Sequence, residues 1–351
     1  MNKRLLCIGL LTVLACSSQT PSAATQAATT QGFQPNCEGR NTVVSATQAI
    51  KQNPRDKADL AALFACRGEA YEVAGEANKA IPDYTQAIQL APRNPWHYRA
   101  RGLVYLAFND YARAIADLGQ AVRLAQTDIP IQVTAYVGRA TAYYAQKRYD
   151  LGIRDATQVI KLSASNAEAY RLRALCLREK GKFDLALADF AKSIELDPNN
   201  PRTFANRARL HATRGQFDFA VSDWNDSLRL KPLAESFYYR GSAYIELKKY
   251  DLAIADLTQA TTLAPPYIDA VRLRGQALAF KGDYAAAIAD LNQYIGTGTS
   301  GDAFAYFLRG LSHSRLDQRD EAISDLQQAV KLTTDAELQK KAKEELAKLE
   351  V

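Results

Sequence analysis

The sequence is poor in the residues from which most catalytic and metal centres are built. It has three histidines, His97, His211 and His313, in 351 residues. They stand far apart along the chain and do not form one metal cluster. There is no GxSxG, no HExxH, no Walker loop and no Rossmann glycine fingerprint. Gly296-Thr297-Gly298 reads as a loop rather than a phosphate cradle. No catalytic residue, metal or cofactor is expected, and an enzyme is not the reading these residues support. Charge of one sign is also lacking: 44 Lys and Arg stand against 38 Asp and Glu, alternating along the chain, for a net +6. Without a Lys/Arg run or basic residues interleaved with stacking residues in a loop, nucleic acid is not an expected partner. The 12 prolines and 18 glycines are too few for a low-complexity body, and hydrophobic residues at 47% suffice for a core. The length exceeds one compact core but suits an array that grows by stacking.

The longest apolar stretch is at the start. Lys3 and Arg4 precede Leu5 to Ala15, which is too short to span a bilayer as a helix and has the layout of a signal peptide. Val13-Leu14-Ala15-Cys16 resembles the bacterial lipobox, which implies acylation of Cys16 as the new N-terminus. Ordinary cleavage near Ser22-Ala23-Ala24 is the other reading. Residues 17–36, rich in Ser, Thr, Gln and Ala, read as a disordered tether spanning about 25 Å. Ser17 in place of aspartate, by resemblance to Gram-negative lipoprotein sorting, points to the outer membrane, facing the periplasm. The membrane is then met through the lipid alone.

The body repeats. Arg followed by Gly or Ala recurs at Arg67, Arg101, Arg139, Arg173, Arg207, Arg240, Arg274 and Arg309, in steps near 34 residues. Twelve residues after each Gly or Ala comes a second small residue: Ala80, Ala114, Gly152, Ala186, Ala220, Ala253, Ala287 and Ala322. In six repeats an aromatic stands three places before it, and Pro92, Pro198, Pro232 and Pro265 close four of them, with Pro54 ending a half-repeat before the first. Apolar spacing of three and four residues makes two amphipathic helices per repeat. This pattern resembles the tetratricopeptide repeat, which implies an all-α, right-handed solenoid of about eight helix hairpins. The boundaries follow: signal 1–15, lipidated cysteine and tether 16–36, capping helix 37–58, eight repeats 59–334, and a charged capping helix 335–351. Extra residues at Thr127–Gln132 and Gly296–Gly301 are expected to lengthen two loops between hairpins.

Sixteen residues after each arginine stands an aspartate: Asp83, Asp117, Asp155, Asp189, Asp223, Asp256, Asp290 and Asp325. The turn falls midway, so both side chains lie roughly 12 Å from it on antiparallel helices. An arginine–aspartate pair inside each hairpin is expected to fix helix register rather than to bind ligand.

Cys37 and Cys66 are a candidate disulfide tying the cap to the first hairpin, and Cys176 reads as a small buried residue. In solenoids that this chain resembles, the first helix of each hairpin lines a groove. Here the lining positions carry Arg99, Arg171, Arg178, Arg202, Arg209, Tyr238 and Arg272, with Glu69 and Glu72 at the N-terminal end. They read either as a basic groove for an extended acidic peptide or a free C-terminus, or as a solvated charged face. The resemblance implies a scaffold whose partners are other proteins or peptide segments. A stoichiometric subunit of an envelope assembly or secretion machine is the alternative.

Overall fold

The computed structural model describes residues 35, 37, 39, 41–52, 56–298 and 301–349. Cys16, the signal and most of the tether, and Pro54, lie outside them. The described residues hold eighteen helices and no strand, and the chain divides into two compact units, with the boundary between Asp197 and Pro198.

In the first unit, α1 (Val43–Lys51) stands alone before four hairpins. These are α2 (Lys57–Val73) with α3 (Ala77–Leu90), α4 (Pro95–Ala107) with α5 (Tyr111–Ala125), α6 (Ile129–Ala145) with α7 (Tyr149–Leu162), and α8 (Ala167–Glu179) with α9 (Phe183–Leu196). The second unit has four more. They are α10 (Pro201–Thr213) with α11 (Phe217–Leu230), α12 (Ala234–Glu246) with α13 (Tyr250–Leu263), α14 (Ile268–Lys281) with α15 (Tyr284–Gly296), and α16 (Ala303–Arg315) with α17 (Arg319–Leu332). Then comes α18 (Ala336–Leu349), of which only Ala342 is buried, so it leaves a polar outer face at the end of the stack.

Small residues let the helices of a hairpin touch. A Cβ on Gly68 would fall 2.7 Å from the Tyr84 ring, and one on Gly241 2.8 Å from Leu257 Cγ. The residue after each arginine is thus small because the residue after each aspartate is packed against it. Start signals are local: Asp56, Asn94, Asn166 and Asn200 each accept a backbone N–H of the first helical turn. All eight hairpin turns place one residue in the left-handed region, eight positions after the arginine. Gly serves at 75, 181, 215 and 282, but Asn109, Lys147, Lys248 and Asp317 adopt it too.

The hairpin arginines all meet their aspartates with two hydrogen bonds. Arg139, for example, donates from Nε to Asp155 Oδ2 at 2.6 Å and from Nη2 to Oδ1 at 2.9 Å. The aspartates are all buried; Asp155 is 1% exposed. A third donor, Nη1, often reaches back one helix. Arg101 meets Thr85 Oγ1 at 2.9 Å, Arg240 meets Asn225 Oδ1 at 2.6 Å, and Arg309 meets Asn292 Oδ1 at 2.7 Å. The ladder therefore fixes register within a hairpin and between neighbouring ones.

The extra residues at Thr127–Gln132 do not lengthen a loop. Only Gln126 to Asp128 separate α5 from α6, and the surplus is wound into α6, which has 17 residues against 13 in α4. The physical reason is a strong start: the Asp128 side chain accepts from Ile131 N, and Pro130 sits in the first turn. At Gly296–Gly301, Gly296 closes α15, and the described residues Thr297, Gly298 and Gly301 follow it outside any helix.

Candidate binding site

The first hairpin and α4 enclose a cavity of about 470 Å³, closed on one side by the segment at Cys37. Cys37 is disulfide-bonded to Cys66 on α2, with their Cα atoms 5.5 Å apart. The wall is mostly apolar: Ala70 and Val73 from α2, and Trp96, Ala100, Leu103, Leu106 and Ala107 from α4. Val73 is 88% exposed and marks the mouth.

Five polar side chains break this apolar lining: Asn41, Glu69, Glu72, Tyr84 and Arg99. The Tyr84 hydroxyl donates to Glu72 Oε1. Burial pushes the Glu72 carboxyl up to about 7, with Glu69 beside it acting in the same direction. Burial also raises the Glu69 carboxyl, against the pull of Arg99. Glu69 Oε2 lies 3.2 Å from Cys37 Sγ. Burial lowers the Arg99 guanidinium, although Glu69, Glu72 and Asp128 all attract it. It stacks over the Trp96 ring at 5.3 Å. Among the described residues no acidic oxygen comes within 4.0 Å of it, and its Nε is buried without an acceptor, as is Nε1 of Trp96. Buried donors normally find partners, so this arrangement is rare within a fold and common where a ligand completes it.

Models of the tetratricopeptide repeat match residues 66–129, 99–157 and 137–201, and a second pair of matches covers 234–267 and 305–335. The chain is a tetratricopeptide-repeat protein. Over 99 residues it is 30% identical to rat serine/threonine-protein phosphatase 5, which is 28% of this chain and 19% of that protein. The match therefore spans about a fifth of the relative's length, and the activity in its name stays with that protein. Among solved structures it resembles the Cut9–Hcn1 hetero-tetramer of the APC/C (TM-score 0.54, 14% identity, 90% of this chain and 60% of that one). It also resembles pilF of Pseudomonas aeruginosa (TM-score 0.55, 16% identity, 62% of this chain and 100% of that one). At these identities the likeness shows the fold alone.

Along the first helices of this tetratricopeptide-repeat protein, most of the arginines named for a basic groove lie beside acidic residues. Arg171 donates twice to Glu168, one turn before it on α8. Arg178 donates to Glu179 and to the Tyr144 hydroxyl. Arg209 lies 3.6 Å from Glu235 and over the Tyr239 ring, and Arg272 lies 3.8 Å from Asp302. Acidic residues at neighbouring repeat positions neutralise the face locally, which a count of arginines alone does not reveal. Tyr238 stacks on Tyr267 with centroids 5.1 Å apart, and Arg202 is exposed in the first turn of α10. Of the groove positions, only Arg99 joins the cavity, together with Glu69 and Glu72.

None of the three histidines lines the cavity. His97 is buried and its imidazole is pushed down to about 4 by burial. His211 bonds Gln216 through Nδ1 and stacks on Phe219, and His313 bonds Gln318. Burial pushes the Cys176 thiol up to about 12, where it is inert near neutral pH. Sequence reasoning missed Trp96, Leu103, Leu106 and Val73 as one wall. The available signal was the pair of carboxyls at Glu69 and Glu72, opposed by an arginine on the next first helix.

Proposed function

We propose that this chain is a membrane-tethered, extracytoplasmic scaffold that binds a segment of a protein partner in its N-terminal cavity. The observation that carries the reading is Arg99. A half-buried guanidinium whose Nε is buried without an acceptor, facing an apolar cavity beside two carboxyls, is costly for folding and useful for binding. The tetratricopeptide fold supports the protein-binding part, since its stacked hairpins present side chains at regular intervals. The signal-like start, Cys16 and the polar tether support the location, and no described helix is long and apolar enough to cross a membrane. No reaction is assigned to the chain.

The test is cross-linking in living cells, followed by capture of the full chain from wild type, Cys16→Ser and Arg99→Gln cells. The reading expects a specific set of envelope proteins with wild type, lost with Arg99→Gln. It expects Cys16→Ser to leave the membrane fraction. The same abundant bystanders from all three forms would contradict it.

A further inference from the structure

The cavity constrains its ligand more closely than the general scaffold reading does. Glu69 and Glu72 attract Arg99 across the cavity, yet neither carboxylate comes within 4.0 Å of it. A group that fills this gap must offer an acceptor to the guanidinium and donors to the carboxyls, side by side. The rest of the cavity, toward Leu103 and Leu106, asks for an apolar body. A carboxylate terminus would meet Glu69 and Glu72 with like charge. A lysine ammonium brings no acceptor next to its donors. The first residue of a polypeptide brings both, because its ammonium and its carbonyl oxygen are joined through one Cα.

We infer that the cavity receives the N-terminal residue of a partner chain, one with a large apolar side chain. The α-ammonium lies between Glu69 and Glu72, the first carbonyl oxygen accepts from Arg99, and the side chain packs against Leu103, Leu106 and Trp96. The partner chain leaves past the exposed Val73. A cavity of about 470 Å³ holds one such residue and is within the usual range for ligand sites. This inference rests on the scaffold reading and names the chemistry of its partner.

Calorimetry with the purified full chain tests it. The probes are the pentapeptide amide Leu-Ser-Ala-Ser-Gly, its N-acetylated form, an acetylated peptide with one central lysine, and free leucine. The free-amine pentapeptide is expected to bind, and acetylation to weaken it about 30-fold, the loss of a charge-assisted contact. Arg99→Gln and Glu72→Gln are each expected to weaken binding about 10-fold. Val73→Trp at the exposed mouth should abolish binding while leaving thermal unfolding unchanged. Equal binding of the acetylated pentapeptide, tighter binding of the lysine peptide, or free leucine binding as tightly as the pentapeptide would each overturn the chain-end assignment. If no probe binds but Arg99→Gln still loses the cross-linked partner in cells, the chain-end assignment falls and the scaffold reading stands. If no probe binds and Arg99→Gln keeps every captured protein, both fall.

Discussion

Arg99 and Arg101 stand two residues apart on α4, on different faces, and meet opposite fates. Arg101 donates to both oxygens of Asp117 and to Thr85, and its environment is complete. Arg99 faces the cavity with Glu69 and Glu72 in electrostatic reach and no acid in hydrogen-bond contact. On α2 the contrast repeats: Arg67 is paired with Asp83, while Glu72, five residues on, is a half-buried carboxyl pushed up to about 7. Burial of charge is common to both regions. What differs is whether the fold supplies the counter-charge. Where it does, in every hairpin, the pair sets register. Where it does not, the proposed partner completes the contacts.

The largest expected effect comes from breaking the paired side of this comparison. Asp155→Ala should destabilise the first unit by about 3–5 kcal/mol in urea titrations, because Arg139 is then buried alone. Reduction of Cys37–Cys66, or Cys37→Ser, comes next. The bond spans a sequence separation of 29, and losing it should cost about 3–4 kcal/mol, seen as faster amide exchange in α2 and α3. It should also remove one cavity wall and with it the binding of the free-amine pentapeptide.

The unpaired side predicts a pH dependence of definite sign. Below pH 4.5 Glu72 is protonated in both folded and unfolded chains. Between there and about pH 7 only the unfolded chain has released its proton, so stability falls as pH rises and then levels off. The amplitude is on the order of 2–3 kcal/mol, and Glu72→Gln should flatten this part of the profile. Ligand affinity should move the other way, rising from pH 6 to about 7 as Glu72 ionises, opposed by burial and Glu69 and favoured by Tyr84 and Arg99. The smallest effect is at a turn. Lys248 is exposed in the left-handed region at φ 56°, and Lys248→Gly should gain about 1 kcal/mol in thermal unfolding.

Much of this fold was legible because its signals are local and repeated. A sixteen-residue spacing across a midway turn is enough to set Arg139 opposite Asp155, since helix rise fixes both heights. Four of the turns carry glycine at the left-handed position, whereas Lys147 and Lys248 hide the same backbone behind ordinary side chains. The extra residues at Thr127–Gln132 misled because Asp128 and Pro130 start a helix where length alone suggested a loop. The charge of the first helices was less legible, because the acids beside Arg171 and Arg209 lie on the same helix or the next first helix. The cavity needed the structure, because its walls come from α2, α3, α4 and from Cys37 and Asn41, and no one of these carries a motif.

The most direct test sets the two neighbours against each other. Arg99→Leu and Arg101→Leu would be compared in the full chain for thermal unfolding and for partner capture in cells. Arg101→Leu should lower stability by about 3–5 kcal/mol, because Asp117 is left buried and unpaired. Arg99→Leu should hold or raise stability and lose the captured partner. An Arg99→Leu chain that unfolds as early as Arg101→Leu, yet keeps its partner, would contradict the assignment of unpaired charge to binding.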